Sequence, residues 1–387
     1  MTHLAVFFTS LGYEVTFVTC TPNYPYGIPF SGYKNTLLRK EKFGNVNVIR
    51  VWSFLSSNKT FWRRILNYGS FSFMAFWGGI AGKKTDILIS LSPPLPLGLS
   101  TWMLSKLWNV PWILRVEDLF PDAAVAAGYL NSKLASNFFY WLEKFLYKHA
   151  DRIAVITEGF QSRLISKGVP EEKIEIIPLF ADPAEISLLP KNNPLKSELN
   201  LDDHFIILYS GNMGLTSSLE DLIYAAGLLS EHEEIRFVLV GEGVRKEDLQ
   251  KKVIELSLNN ITFLPYQPRS RYPELLAMAD VSVVTLNPGA AETSLPCKTF
   301  NYLASARPIL AIAPEDSELA KLIKTEKCGE VVTTGNPGLI ASSILKLKQN
   351  PDLVTMGLNG RCLVEARFSL SHVGNMFEKC ILSLTRN

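Results

Sequence analysis

Apolar residues along the chain follow two patterns. Short runs rich in Val, Ile and Leu, such as Val46-Asn47-Val48-Ile49-Arg50-Val51-Trp52, Ile87-Leu88-Ile89-Ser90-Leu91-Ser92 and Phe205-Ile206-Ile207-Leu208-Tyr209-Ser210, read as strands. Between such runs, apolar positions recur every three or four residues, the spacing of a helix with one buried face. The first of these places Leu4, Phe7, Phe8 and Leu11 on one face and stops at Gly12. Further strands are expected at 13–19, 112–118, 150–156, 173–177, 236–240, 261–264, 281–284 and 309–313. Strand and helix alternate along the chain, which is the pattern of an α/β protein built on parallel sheets.

The alternation is interrupted at Leu189-Pro190-Lys191-Asn192-Asn193-Pro194, which lacks apolar periodicity and punctuates like a linker. The expected organisation is a domain over 1–188, a second over 195–368 and a closing helix over 369–387. A chain of 387 residues with 47% apolar residues can fill two cores. A formal net charge of +2 gives no global attraction to nucleic acid, so none is expected as a partner. Five cysteines, scattered and without metal-ligand spacing, favour a reduced setting and predict no structural metal. Neither a spanning apolar run nor a signal peptide is read at the sequence level, so the expected location is cytoplasmic.

Three polar segments stand where an open α/β sheet binds ligands, at strand carboxyl ends and helix starts. Gly211-Asn212-Met213-Gly214 follows the strand at 205–210, with Ser217 or Ser218 placed to cap the next helix. Glycines there let the backbone approach a diphosphate. Ser294-Leu295-Pro296-Cys297-Lys298 runs into a short helix and then into a Pro-started strand at 309–313. Glu117-Asp118 ends the strand at 112–118, where a carboxylate can meet a hydroxyl or cap the following helix. None of the five histidines sits in a motif. Residues 61–77 are dense in aromatics, with Lys59 before them and Lys83-Lys84 after; this suits a core helix with solvated ends or a helix in a membrane interface.

In this order and spacing the segments resemble the retaining GT-B glycosyltransferases of the group 1 class, family 4, and their subgroup acting in bacterial surface polysaccharides of the colanic acid, O-antigen or capsule type. The residues carrying the resemblance are Asn301-Tyr302-Leu303-Ala304-Ser305-Ala306-Arg307-Pro308, similar to a Glu-Ala-Met-Ala-x-Gly-x-Pro helix, and Leu295-Pro296-Cys297-Lys298, similar to a Leu/Val-Pro-Ser-Lys loop. Pro22-Asn23-Tyr24-Pro25, Glu117-Asp118-Leu119-Phe120-Pro121 and Ala150-Asp151-Arg152-Ile153-Ala154-Val155 add to it. The family's paired glutamates fall on Thr293 and Asn301, with Glu292 one residue off; its diphosphate-contacting Arg and Lys fall near Asn212 and Ser218.

The resemblance implies a GT-B fold of two Rossmann-like doubly wound parallel-sheet domains facing a cleft, the last helix crossing back to the first domain. It also implies a strand and glycine-rich turn ahead of the helix at 2–11, which this chain is expected to lack. The implied activity moves a sugar from a nucleotide-diphosphate sugar, UDP-linked, to a glycan or polyprenyl-linked glycan, with retention, no metal and no cofactor beyond the donor. The implied donor residues are Gly211, Asn212, Met213, Gly214, Glu242, Gly243, Tyr266, Ser294, Leu295, Lys298 and Asn301, with Glu117 and Asp118 on the catalytic acceptor side. Domain closure would exclude water from the departing diphosphate. Family members acting on polyprenyl-linked acceptors dock through the first domain, which implies peripheral contact of residues 59–84 with the cytoplasmic face of the membrane. The alternative is an impaired or truncated GT-B protein that binds nucleotide sugar or a partner without turnover. A GT-B-like sugar-nucleotide epimerase would need acid/base carboxylates and histidines in the crevice, and the histidines are not there.

Overall fold

The computed structural model describes residues 1–57, 61–126, 128, 130, 132–214, 217–290 and 295–385. The chain forms two compact units, Met1–Pro178 with Leu370–Asn387, and Leu179–Ser369. The division falls upstream of the stretch that reads as a linker, for a local reason. Immediately after Pro178 the chain is already held by the second unit: Ala181 bridges Ser369, and the Ile186 carbonyl accepts from Arg361 at 2.7 Å. The stretch at 189–194 is a helix start, in which the Asn193 side chain accepts from the Leu195 and Lys196 N–H groups and Pro194 occupies the first turn.

The first unit opens with helix α1 (Thr2–Ser10), whose Leu4, Ala5 and Phe8 are buried. Strands β1 (Thr16–Cys20), β2 (Leu38–Phe43) and β3 (Val46–Val51) form one sheet in the order β1-β3-β2, with β1 parallel and β2 antiparallel to β3. Helix α2 (Phe61–Ala81) lies on it. Small residues permit the approach: a Cβ on Gly78 would come within 2.7 Å of Val51, and one on Gly79 within 2.4 Å of Leu104. Leu104 belongs to α3 (Leu97–Trp108), which packs beside α2.

A second sheet holds β4 (Leu88–Ser92), β5 (Trp112–Val116), β6 (Arg152–Val155) and β7 (Ile174–Ile176), all parallel and in sequence order. Every residue of β5 is buried, as a near-continuous apolar run in a covered parallel sheet should be. Helix α4 (Lys133–His149) precedes β6.

The second unit is a six-stranded parallel sheet of β8 (Phe205–Ser210), β9 (Ile235–Val240), β10 (Ile261–Leu264), β11 (Val281–Thr285), β12 (Ile309–Ile312) and β13 (Gly329–Val332). Their order is β10-β9-β8-β11-β12-β13, so the winding reverses between β8 and β11. Its core packs Ile207, Phe237, Val283 and Leu310 against helix residues that include Leu222 and Ile340. Helix α5 (Leu219–Leu228) follows β8, and α6 (Lys298–Ala304) lies between β11 and β12. The last helix, α7 (Leu370–Thr385), returns to the first unit beside α1; Tyr13 donates to Glu378 at 2.9 Å. In a doubly wound sheet ligands bind beyond the strand carboxyl ends at the reversal, here the exits of β8 and β11.

Candidate functional site

Beyond its last residue β8 does not leave the sheet at once. Gly211 N–H donates to Val240 O (2.9 Å), Met213 N–H to Glu242 O (2.9 Å) and Arg245 N–H to Met213 O (3.0 Å), so the turns after β8 and β9 run paired. This pairing explains the glycines. Gly241 has φ +143°, and a Cβ there would stand 1.9 Å from the Gly211 oxygen; a Cβ on Gly243 would stand 2.3 Å from the Met213 oxygen. Met213 is fully buried beneath the turn, and Tyr209 donates its hydroxyl hydrogen to Asn212 O at 2.7 Å.

Helix α6 meets the same turn. Lys298 Nζ lies 3.7 Å from the centroid of the Tyr209 ring, within cation–π range. A Cβ on Gly211 would be 2.8 Å from that Nζ, so glycine leaves the space the ammonium occupies. One turn further along α6, the Tyr302 hydroxyl donates to Ser210 O (2.9 Å) and accepts from Ser210 N–H (2.7 Å). Both residues are buried, and burial pushes the Tyr302 phenol well above its ordinary range. Tyr302 thus fastens α6 to the last residue of β8. Neighbouring Asn301 has its Nδ2 3.4 Å from Tyr272 Oη, a phenol that burial pushes up to about 12.

Of the other expected donor residues, Leu295 is buried at the approach to α6, Gly214 ends the β8 turn, and Tyr266 is half-buried just past β10. Glu242 is paired with Lys246 at 2.7 Å. Ser294, with Glu292 and Thr293, lies outside the described residues. The expected serine cap of α5 is corrected: Ser218 stands at the cap position without a side-chain bond, and Ser217 Oγ donates to Gly214 O at 2.8 Å instead. The first turn of α5 carries Glu220 and Asp221. Glu220 pairs with Arg245, and Asp221 accepts from Gly335 N–H at 2.7 Å. Carboxylates already complement that helix start, which works against an anion there. Lys298 brings its ammonium against Gly211 of the β8 turn, whereas Arg245, whose N–H joins the same turns, has its side chain paired with Glu220.

Glu117 and Asp118 sit in the first unit, just past the carboxyl end of β5. Glu117 is the counterion of Arg115, whose side chain is almost wholly buried, with Nε 3.1 Å from Glu117 Oε1. Arg115 also donates to Ile177 O (2.6 Å) and Pro178 O (3.0 Å), and its guanidinium lies 5.0 Å from the Phe377 ring of α7. Burial lowers the Arg115 pKa from its ordinary value, while Glu117 opposes the shift. Asp118 is half-buried, and its carbonyl accepts from Phe120 N–H at 2.9 Å.

Sequence reasoning did not single out Tyr302, Tyr209 or Arg115. A signal existed for the first: Tyr302 is a large aromatic where the resembled helix carries a small residue, one turn from Lys298.

Two Rossmann-like parallel-sheet units, the second with glycine turns and a lysine at its point of reversal, make this a protein of the GT-B type. Residues 1–179 match the glycosyl transferase 4-like domain, and residues 191–360 match the glycosyl transferases group 1. The chain belongs to that family of GT-B glycosyltransferases. It is 29% identical over 326 residues, 81% of this chain and 79% of the other, to WcaI of Escherichia coli, named as a colanic acid biosynthesis glycosyl transferase. It is 24% identical to the glycosyltransferase WbjE of Pseudomonas aeruginosa over 78% of this chain and 76% of that one. Among solved structures, sucrose-phosphate synthase of Thermosynechococcus elongatus superposes with a TM-score of 0.78 at 19% identity, covering 99% of this chain and 92% of the other. Anabaena HepE in complex with UDP-glucose superposes with a TM-score of 0.67 at 15% identity, covering 81% and 82%. These superpositions show the fold. The chain is thus a GT-B glycosyltransferase that uses a nucleotide-sugar donor. Among the described residues no helix is long and apolar enough to cross a membrane.

Proposed function

We propose that this protein transfers a sugar from a UDP-sugar to a glycan or polyprenyl-linked glycan in surface polysaccharide synthesis, with retention of configuration and without a metal ion. The observation that carries the reading is the position of Lys298 Nζ, over Tyr209 and against Gly211, where the strand order reverses. In this reading Lys298 meets the charge that develops on the departing diphosphate. The turn at Gly211, Asn212, Met213 and Gly214 and the one at Glu242 and Gly243 flank it; Leu295 and Ser294 precede it on the loop. Charge placed where the leaving group becomes more negative favours the transition state over the bound substrate. Asn301, beside the Tyr272 hydroxyl, and Tyr266, past β10, serve the ribose and the base. UDP as the nucleotide is supported by the HepE structures, which contain UDP and UDP-glucose. The acceptor class is supported by the names of the WcaI and WbjE relatives.

On the acceptor side Asp118 takes the catalytic contact, with Glu117 held beside it by Arg115. Residues 59–84 make peripheral contact with the cytoplasmic face of the membrane, a reading supported by the exposed aromatics of α2; Lys59 lies outside the described residues. A second reading, binding without turnover, is favoured by the amide of Asn301 where the family carries a carboxylate.

Calorimetric titration of UDP into the wild type and a Lys298→Ala variant tests the donor site. The expected result is binding that weakens by roughly tenfold in the variant, about 1.4 kcal/mol. Absence of heat with folded wild-type protein would overturn the site. UDP release from UDP-sugars with a lipid-linked acceptor then separates turnover from binding alone.

A further inference from the structure

Past the end of β5 the chain makes the turn that carries Glu117 and Asp118, and this turn is fastened at both ends. At one end Glu117 N–H donates to Ser92 O of β4 at 2.9 Å. At the other the short helix Asp122–Ala126 begins, and its first residue is buried. Between them Leu119 is fully buried, and the Phe120 ring meets Phe139 of α4 edge-on at 5.1 Å. The span from Asp118 to Asp122 is also bonded to itself: Phe120 N–H donates to Asp118 O at 2.9 Å and Ala123 N–H to Leu119 O at 2.8 Å. Where Asp122 is held therefore decides where Asp118 points.

Three side chains hold Asp122. Lys167 Nζ lies 3.1 Å from its Oδ2, Arg163 donates to the same oxygen through two nitrogens at 3.2 Å, and the Tyr140 hydroxyl donates to the carboxylate. Arg163 belongs to the helix Glu158–Ser166, Lys167 stands just past that helix, and Tyr140 belongs to α4. A second buried carboxylate, Glu143, shares Lys167 at 2.6 Å but sits on α4 rather than on the turn. Taking such a group of charges out of water costs about as much as their attraction returns, so apolar side chains would serve the fold as well. What ions and hydrogen bonds add is direction, because each donor fixes the carboxylate along its own line.

We infer that Asp122 is a positioning residue: gripped by Arg163, Lys167 and Tyr140, it sets the direction in which the turn presents Asp118 to the acceptor. The inference deepens the acceptor-side reading given above and rests on it for the role of Asp118. Glu117 has a separate anchor in Arg115. Misplacing a reacting group by about 1 Å costs roughly a hundredfold in rate, so a carboxylate one step removed from substrate still governs the reaction.

Asp122→Asn keeps the shape of the side chain and removes its charge. Tyr140→Phe is milder, taking away one donor and leaving both cations, and it carries the same comparison if Asp122→Asn does not fold. Glu143→Gln is the control, because it removes a carboxylate from the same cation on a helix instead of the turn. Hydrogen exchange read by mass spectrometry follows the turn in the full-length protein, through peptides covering residues 117–126, without any acceptor. Uptake there should be about tenfold faster in Asp122→Asn and faster to a lesser degree in Tyr140→Phe, with β4 to β7 unchanged. Glu143→Gln should match the wild type at the turn. With UDP-glucose as donor and a polyprenyl diphosphate-linked monosaccharide as acceptor, kcat for UDP release should fall about tenfold in Asp122→Asn at an unchanged KM for UDP-glucose. Glu143→Gln should keep both values. Wild-type uptake at the turn of Asp122→Asn and Tyr140→Phe overturns the inference, as does an unchanged kcat beside a loosened turn. Faster uptake spread alike over the first unit in Asp122→Asn and Glu143→Gln also overturns it and marks the network as structural only. A wild type without turnover, beside the local change in uptake, supports the positioning role and counts against transfer between these substrates alone.

Discussion

Replacing Tyr302 by Phe removes one oxygen from the interior of the second unit and keeps the ring. That oxygen donates to Ser210 O at 2.9 Å and accepts from Ser210 N–H at 2.7 Å. Ser210 and Tyr302 are both buried, so water cannot replace the lost partner. Leaving a buried donor or acceptor unsatisfied costs about 1–3 kcal/mol each, which puts the variant roughly 3 kcal/mol below the wild type. For a unit of this size each kcal/mol moves Tm by about 2–4 °C. The expected fall is thus roughly 10 °C in circular dichroism or dye-monitored melting. The same oxygen fixes α6 against β8, and Lys298 rides on α6, so UDP should also bind less tightly to the folded variant at low temperature. A Tm within about 2 °C of wild type would mean the Ser210 groups find other partners and would refute the reasoning. An unchanged UDP affinity beside the expected Tm loss would limit Tyr302 to stability.

Lys167 serves two buried carboxylates, 2.6 Å from Glu143 and 3.1 Å from Asp122. Burial pushes Glu143 up against the pull of Lys167; burial also raises Asp122, but Lys167 and Arg163 outweigh it and hold that carboxyl below its ordinary value. Asp122 therefore contributes stability present above its unfolded pKa and lost as pH falls through the depressed folded value. In Lys167→Met the buried Glu143 loses its cation while Asp122 keeps Arg163 at 3.2 Å, so Glu143 takes up a proton more readily in the folded state than in the unfolded one and part of the lost stability is recovered as pH falls. Urea unfolding should show a loss of about 3 kcal/mol near neutral pH, shrinking toward about pH 5; an equal loss at both would refute the pairing. Among the cysteines, Cys297 and Cys362 are exposed, while burial pushes the Cys328 and Cys380 thiols up to about 12. A maleimide should label the exposed pair first, and UDP should slow Cys297 but not Cys362, because Cys297 immediately precedes Lys298; equal protection of both, or of neither, would count against the donor site.

Most strands were legible because a covered parallel sheet demands continuous apolar runs, as at β5, β8 and β11. Strand β2 was not, because its sequence, LRKEKF, is charged and exposed; it is held by pairing along β3 and by Arg50 against Glu41 at 2.6 Å. The unit boundary at Pro178 depends on contacts between residues far apart in sequence, so the local punctuation around Pro194 pointed elsewhere. At the candidate site, Gly211 and Lys298 stood out through their combination: a glycine turn after one strand and a Leu-Pro-Cys-Lys loop before a helix of the same sheet, either of which alone is common. What Tyr302 bonds depends on which backbone groups lie across the fold, and no local pattern encodes that. Glu117 was read for the acceptor side; that it pairs with Arg115, two residues back on the same strand face, depends on the burial of Arg115 in the fold.

The first unit is assembled from both ends of the chain, whereas the second is one unbroken stretch. During synthesis, residues 179–369 can complete their sheet while α1 still waits for the helix it packs against. Phe7 meets Gly374, Tyr13 meets Glu378 across 365 positions, and the buried Arg115 has Phe377 as part of its surroundings. The second unit is thus the natural candidate for separate expression. A fragment ending at Pro178 would leave these surfaces bare, and the first unit reaches its final form only as the last helix is delivered.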